Sequence, residues 1–188
     1  MTGAKPLSPT ELKRLHRQWR RDTELRLSLL LDGVQKPFNV GALLRSAAAY
    51  NVETVWRAAP TPPFSGSGVA KTALGSDRFV AEVEVDDGPA GVVAAKAAGF
   101  TVVAIELTGD AEPIHALTLA TFATPSPAVC LVLGHEDRGV HIRTLEAVDH
   151  VAFIPQLGKI GSLNVAHAGT VALYEITRQS WADQAPSH

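Results

Sequence analysis

The stretch "IPQLGKIGSLNV" (residues 154–165) decides the fold. It has too many glycines for a helix and too few polar residues for a solvent-washed loop. It leads directly into "LNVAHAGTVALYEITRQSWA", where Val165, Ala168, Gly169, Ala172, Leu173 and Ile176 fall on one helical face. Upstream of it lies the apolar run "HVAFI", which reads as a buried strand. A strand, a glycine-bearing connection and a long helix with small residues on its packing face form the end of an α/β unit.

Working outward, the same alternation fills the chain. "RLSLLLDGV" reads as a buried strand, "NVGALLRSAAAYN" as a helix and "VETVWRAA" as a second strand. "PTPPFSGSG" reads as a long loop. "GPAGVVAAKAAG" is an Ala-rich helix before the strand "FTVVAIEL", and "AVCLVLG" is a strand before a short helix near "GVHIRTLEAV". The pattern predicts a largely parallel α/β sheet with helices on both faces. Residues 1–24 form a basic N-terminal helix or arm starting at Ser8-Pro9, residues 25–182 one domain, and residues 183–188 a tail.

Composition narrows the function classes. The chain has 188 residues, 46% hydrophobic and 19% charged, as in a globular domain. No apolar run reaches membrane-spanning length and the N-terminus is polar, so a cytoplasmic protein without a membrane segment is expected. The single Cys130 excludes an internal disulfide and sits in a buried-strand pattern; the scattered histidines predict no metal site. Net charge is −2, but residues 1–26 carry seven Lys/Arg against three acids, a local +4 that leaves −6 for the rest. This arm reads either as a solvated amphipathic helix or as a phosphate-contacting element.

Several motifs bear on chemistry. "GSGVAKT" (residues 66–72) imitates a P-loop, but Ala70 stands where that loop needs glycine. "NVGALLRSAAAYNV" puts Asn39 and Gly41 at a strand-to-helix turn and Arg45 along the helix, an arginine among small residues that calls for an anion. "LVLGHEDRGV" ends a strand in Gly134-x-Glu136-x-x-Gly139, a turn open to a ligand with a carboxylate on it. Ser162 and Asn164 fall at the N-terminus of the last helix, where free amides hold polar groups.

Each motif alone is weak. In this order at the ends of successive α/β units, with "KTALGSDRFV" between the first two, they resemble the three signature motifs of the SpoU/TrmH family of RNA ribose 2′-O-methyltransferases, within the SPOUT superfamily. The resemblance covers roughly residues 25 to 180. It implies a C-terminal deep trefoil knot, S-adenosylmethionine as cofactor, a homodimer packed through knots and last helices, and an RNA substrate. By that resemblance residues 154–165 are the knot loop around the cofactor: Ile154 and Leu163 sandwich the adenine, Gly158 and Gly161 permit a tight path, and Thr108, Leu133 and Gly134 complete the pocket. Arg45 is then the essential arginine, binding phosphate and stabilising the developing alkoxide. Asn39 positions the substrate or Arg45, Glu136 orients Arg45 or the RNA, and Ser162 and Asn164 hold loop and substrate. The stretch "IPQLGKIGSLNVAHAGTVALYEITRQ" looks closest to the tRNA guanosine type, which favours tRNA over ribosomal RNA. A knotted RNA-binding module without catalysis, and a metabolite-binding α/β enzyme without RNA, are the alternatives.

Overall fold

The computed structural model of the chain describes residues 5–118, 122 and 127–181; the expected tail at 183–188 lies outside the described residues. Among the described residues seven strands form one sheet: β1 (Arg26–Asp32), β2 (Thr54–Ala58), β3 (Ala81–Val85), β4 (Thr101–Ile105), β5 (Glu112–Pro113), β6 (Ala128–Gly134) and β7 (His150–Phe153). Their spatial order is β3-β2-β1-β6-β4-β7-β5. Every strand pair is parallel.

The central strands are buried on both faces, and side-chain alternation divides them between two cores. Leu27, Leu29 and Leu31 of β1 and Val129, Leu131 and Leu133 of β6 enter one core. That core is closed by α2 (Pro37–Ala49), α3 (Ser67–Ala73) and α6 (Val165–Trp181). Leu30, Cys130 and Val132 enter the other, under α4 (Gly88–Ala97) and α5 (Ile142–Leu145). Burial pushes the Cys130 thiol up to about 12, so it is an inert core residue.

Close approach fixes the helix seams. A Cβ on Gly41 would meet Thr72 and the Val69 carbonyl at 2.6 Å, and one on Gly169 would meet Leu43 at 2.6 Å and Leu133 at 2.7 Å. Gly41 is therefore a packing residue inside α2 rather than part of a turn. The small-residue face of α6 is likewise spent within its own chain: Ala172, Leu173 and Ile176 are fully buried against α2 and the sheet. The expectation that this face packs on a second copy is corrected for Gly169, Ala172, Leu173 and Ile176, which are buried within the chain, while Val165 and Ala168 stay partly exposed beside the cleft. The outer face of α6 exposes Val171 and Tyr174 instead.

The N-terminal helix α1 (Pro9–Arg21) starts as expected, with Ser8 and Glu11 forming a capping box. None of its residues is buried. It touches the body where Trp19 meets Trp181 edge-on, 5.2 Å between ring centroids.

Candidate functional site

In a parallel sheet, ligands gather at the carboxyl ends of the strands. Here the ends of β4, β6 and β7 and the start of α6 enclose a cleft of about 370 Å³. Its second wall is the turn after β6. His135 and Gly139 exchange two backbone hydrogen bonds of 2.9 and 2.8 Å, closing the turn. Gly139 has φ +69°, which favours glycine, and a Cβ on Gly134 would strike the backbone of Gly139 and Val140. Both glycines of the G-x-E-x-x-G motif are required by geometry.

That turn delivers Glu136 to the start of α2. One carboxylate oxygen accepts from the Lys36 amide and from Asn39 Nδ2, each at 2.8 Å, and the other from the Gln35 amide at 3.1 Å. Asn39, 2% exposed, in turn accepts from Asn164 Nδ2 at 3.0 Å. Asn164 Oδ1 then caps α6, taking the amides of Ala166 and His167 at 2.9 and 3.3 Å. One chain of hydrogen bonds, Glu136–Asn39–Asn164, thus ties all three motifs together. Burial works to raise the Glu136 carboxyl, but the bonds from Asn39, Gln35 and Lys36 outweigh it and hold the group below its ordinary value.

Leu133, Gly134, Glu136, Ile154, Ser162 and Leu163 line the cleft, as do Gly161 and Gln156. Ile154 and Leu163 supply apolar walls and the strand-end backbone supplies polar edges, a donor set that fits a purine nucleoside with a cationic tail beside Glu106 and Glu136. Thr108 stands apart, its hydroxyl closing its own turn onto Asp110 at 2.8 Å, and Leu107 takes the lining position. Gly158 is also outside the lining. A Cβ on Gly158 or Gly161 meets nothing within 4 Å, so the tight-path reading of these glycines fails within a single chain. Two of the amides at the start of α6, those of Ala166 and His167, are not free for a ligand, because Asn164 Oδ1 takes them.

Arg45 lies exposed on α2, making no hydrogen bond or ion pair among the described residues. Neither Glu136 nor Asn39 bonds to it; their polar atoms are committed to each other and to Asn164. The orienting role expected of these two residues is therefore toward the loop before α2 and the cap of α6. A residue that sequence reasoning missed is Glu106, which lines the cleft and fastens the turn by accepting from the Val140 amide at 2.9 Å. Its signal was a lone carboxylate at the end of an apolar strand, "VVAIEL". Among the described residues no group of three His, Cys, Asp or Glu side chains could hold a metal ion, and no helix is long and apolar enough to cross a membrane.

Comparison with known proteins gives the same grouping. Residues 26–174 match the SpoU rRNA Methylase family. The chain is 35% identical over 153 residues to the 23S rRNA (guanosine-2′-O-)-methyltransferase RlmB of Pseudomonas aeruginosa, covering 81% of this chain and 59% of that one. It is 30% identical over 157 residues to the tRNA (guanosine(18)-2′-O)-methyltransferase of Escherichia coli, covering 81% and 63%. It thus spans about three fifths of the length of these curated relatives. Among solved structures, the SpoU methyltransferase AviRb from Streptomyces viridochromogenes superposes with a TM-score of 0.71 at 26% identity, covering 84% of this chain and 60% of AviRb. The same enzyme in complex with the cofactor AdoMet gives 0.68 at 25% identity, covering 84% and 61%. With the sheet, the three joined motifs and the family match in agreement, the chain belongs to the SpoU methylase family.

Proposed function

We propose that this chain is an S-adenosylmethionine-dependent methyltransferase that acts on the 2′-hydroxyl of an RNA ribose, with tRNA favoured over ribosomal RNA, as a homodimer with a C-terminal trefoil knot. The observation that carries the reading is the hydrogen-bonded chain Glu136–Asn39–Asn164. It holds the start of α2, the turn after β6 and the start of α6 in one arrangement around the cleft. The 2′-O-methyltransferase names of the two curated relatives support the reaction. AviRb bound to AdoMet supports the cofactor.

When bound, the cofactor supplies an electrophilic methyl group on a sulfonium sulfur. Leu133, Ile154 and Leu163 would hold its adenosine, and Glu106 and Glu136 lie in the same lining to favour its positive charge. Arg45 is free to take an RNA phosphate. A guanidinium holds its proton too tightly to be a good base, so its service is charge stabilisation of the forming alkoxide. The proton then leaves to phosphate or water.

The knot reading is supported by strand order: β6 inserts between β1 and β4, and β7 follows on the far side of β4. A dimer is supported by the exposed Val171 and Tyr174 on the outer face of α6, since apolar surface of this kind wants a partner. For tRNA, support comes from residues 154–179 and from the name of the Escherichia coli relative. The relative named for 23S rRNA supports the other choice. Incubation with methyl-labelled S-adenosylmethionine and either unmodified tRNA or 23S rRNA fragments separates them. Label in tRNA is the expected result; label in the rRNA fragments alone moves the substrate, and label in neither removes the activity.

A further inference from the structure

Helix α2 turns one face to solvent. Phe38, Arg45 and Ala49 are exposed on it, with Ala42 half-buried among them. These positions fall at i, i+4, i+7 and i+11, a single stripe along the helix. Phe38 is 67% exposed, and its ring stacks on no aromatic or cation among the described residues. An exposed phenylalanine alone is ordinary. Its setting is not.

The rest of the helix is fixed in place. The Gln35 and Lys36 amides and Asn39 Nδ2 all donate to Glu136. Pro37 lies so near α3 that a Cβ on Gly68 would approach it to 2.9 Å, and Ser46 bonds to Thr170 of α6 at 2.6 Å. Phe38 therefore stands on rigid backbone next to Asn39, where the three motifs meet. Side chains of a helix lean toward its N-terminus. That is the end of α2 bonded to Glu136, which lines the cofactor cleft.

Charge identifies the occupant. Residues 33–76 contain a single acid, Glu53, and Arg26 pairs with it at 2.9 Å. Lys36 and Arg45, with Lys71 of the adjoining α3, are exposed and make no ion pair among the described residues. This cationic surface belongs to a body, residues 27–188, whose net charge is −6. An anionic chain that carries flat apolar rings suits both the cations and the bare phenyl face, and single-stranded RNA is such a chain. Phe38 and Arg45 are seven residues apart, about 10 Å along the helix axis. A base and a neighbouring phosphate of one strand can bridge that span.

We infer that Phe38 is a stacking platform for an unstacked base of the RNA, beside the phosphate held by Arg45, and that the two contacts fix the strand along α2 at the edge of the cofactor cleft. This rests on the RNA methyltransferase reading above. Every base has a π face, so the contact positions the strand without choosing its sequence.

The test measures methyl transfer at saturating S-adenosylmethionine with RNA varied, for wild type, Phe38→Ala, Phe38→Leu and Phe38→Tyr. Leucine keeps apolar bulk without a π face, and tyrosine keeps the ring. The alanine and leucine variants are expected to raise KM for RNA roughly 5- to 100-fold with kcat unchanged, while the tyrosine variant stays near wild type. Abasic substitutions at the methylated nucleotide and its neighbours locate the base: at one of them, RNA lacking the base should bind wild type and Phe38→Ala equally. Equal KM for wild type, alanine and leucine variants overturns the inference and leaves methyl transfer standing. A Phe38→Ala protein that sediments differently with KM for RNA unchanged makes the face an interface between copies, and overturns it too. A wild type that methylates no RNA removes the methyltransferase reading and this inference with it.

Discussion

Asn39 is the residue on which the three motifs depend. Its amide donates to Glu136 and accepts from Asn164 with almost no solvent access, so Asn39→Ala strands two polar partners at once. Loss of about 1–3 kcal/mol in urea unfolding is expected, together with loss of methyl transfer. The acid behaviour follows from Glu136. Its folded-state pKa lies below the ordinary 4.5, so its stabilisation is fully present above that value and fades as pH falls through the lowered one. Glu136→Gln should therefore flatten the acid limb of the stability curve, read as urea midpoints between about pH 6 and pH 3. An acid limb identical to that of the wild type would show that the carboxylate has no such role. Gly161→Val and Gly158→Val meet open space, so each should change stability by no more than about 0.5 kcal/mol. Only Gly161 lines the cleft, so only its variant should weaken cofactor binding in calorimetry.

At the scale of elements, α6 has two faces with different duties. Ala172→Arg drives a charge into the seam with α2 and the sheet and should unfold the domain, at a cost above about 3 kcal/mol. Val171→Glu, on the exposed face, should leave the fold intact and separate the proposed dimer in sedimentation velocity. A folded, monomeric Ala172→Arg protein would contradict this division. The face was misassigned from sequence because periodicity shows that a stripe is apolar, not whether its partner is the same chain. Most other elements were legible, since a strand buried on both sides reads as an unbroken apolar run, as "RLSLLLD" and "AVCLVLG" do. The edge strand β3, "AEVEV", is largely exposed and carries two glutamates, and it left no such signal. Helix α3 was hidden because its glycine and serine start looks like loop. The three motifs could be read from the sequence, but the bonding between them could not: only the fold shows that Glu136 meets Asn39 rather than Arg45.

For the whole molecule, charge and surface divide the work. The basic N-terminal helix projects from an acidic body with none of its residues buried, holding on through Trp19 and Trp181. Removing residues 1–21 should weaken RNA binding and flatten its dependence on salt, because fewer phosphates are neutralised. In the proposed reading the cofactor cleft, Arg45 and the start of α6 act together in methyl transfer. The most direct measurement of the central claim is nucleoside mass spectrometry of tRNA digested after incubation with S-adenosylmethionine and either wild type or Arg45→Ala. The account predicts a 2′-O-methylated nucleoside with the wild type and on the order of 100- to 1,000-fold less with the variant, at equal cofactor affinity. A methyl group found on a base, or equal ribose methylation by the folded variant, would contradict it.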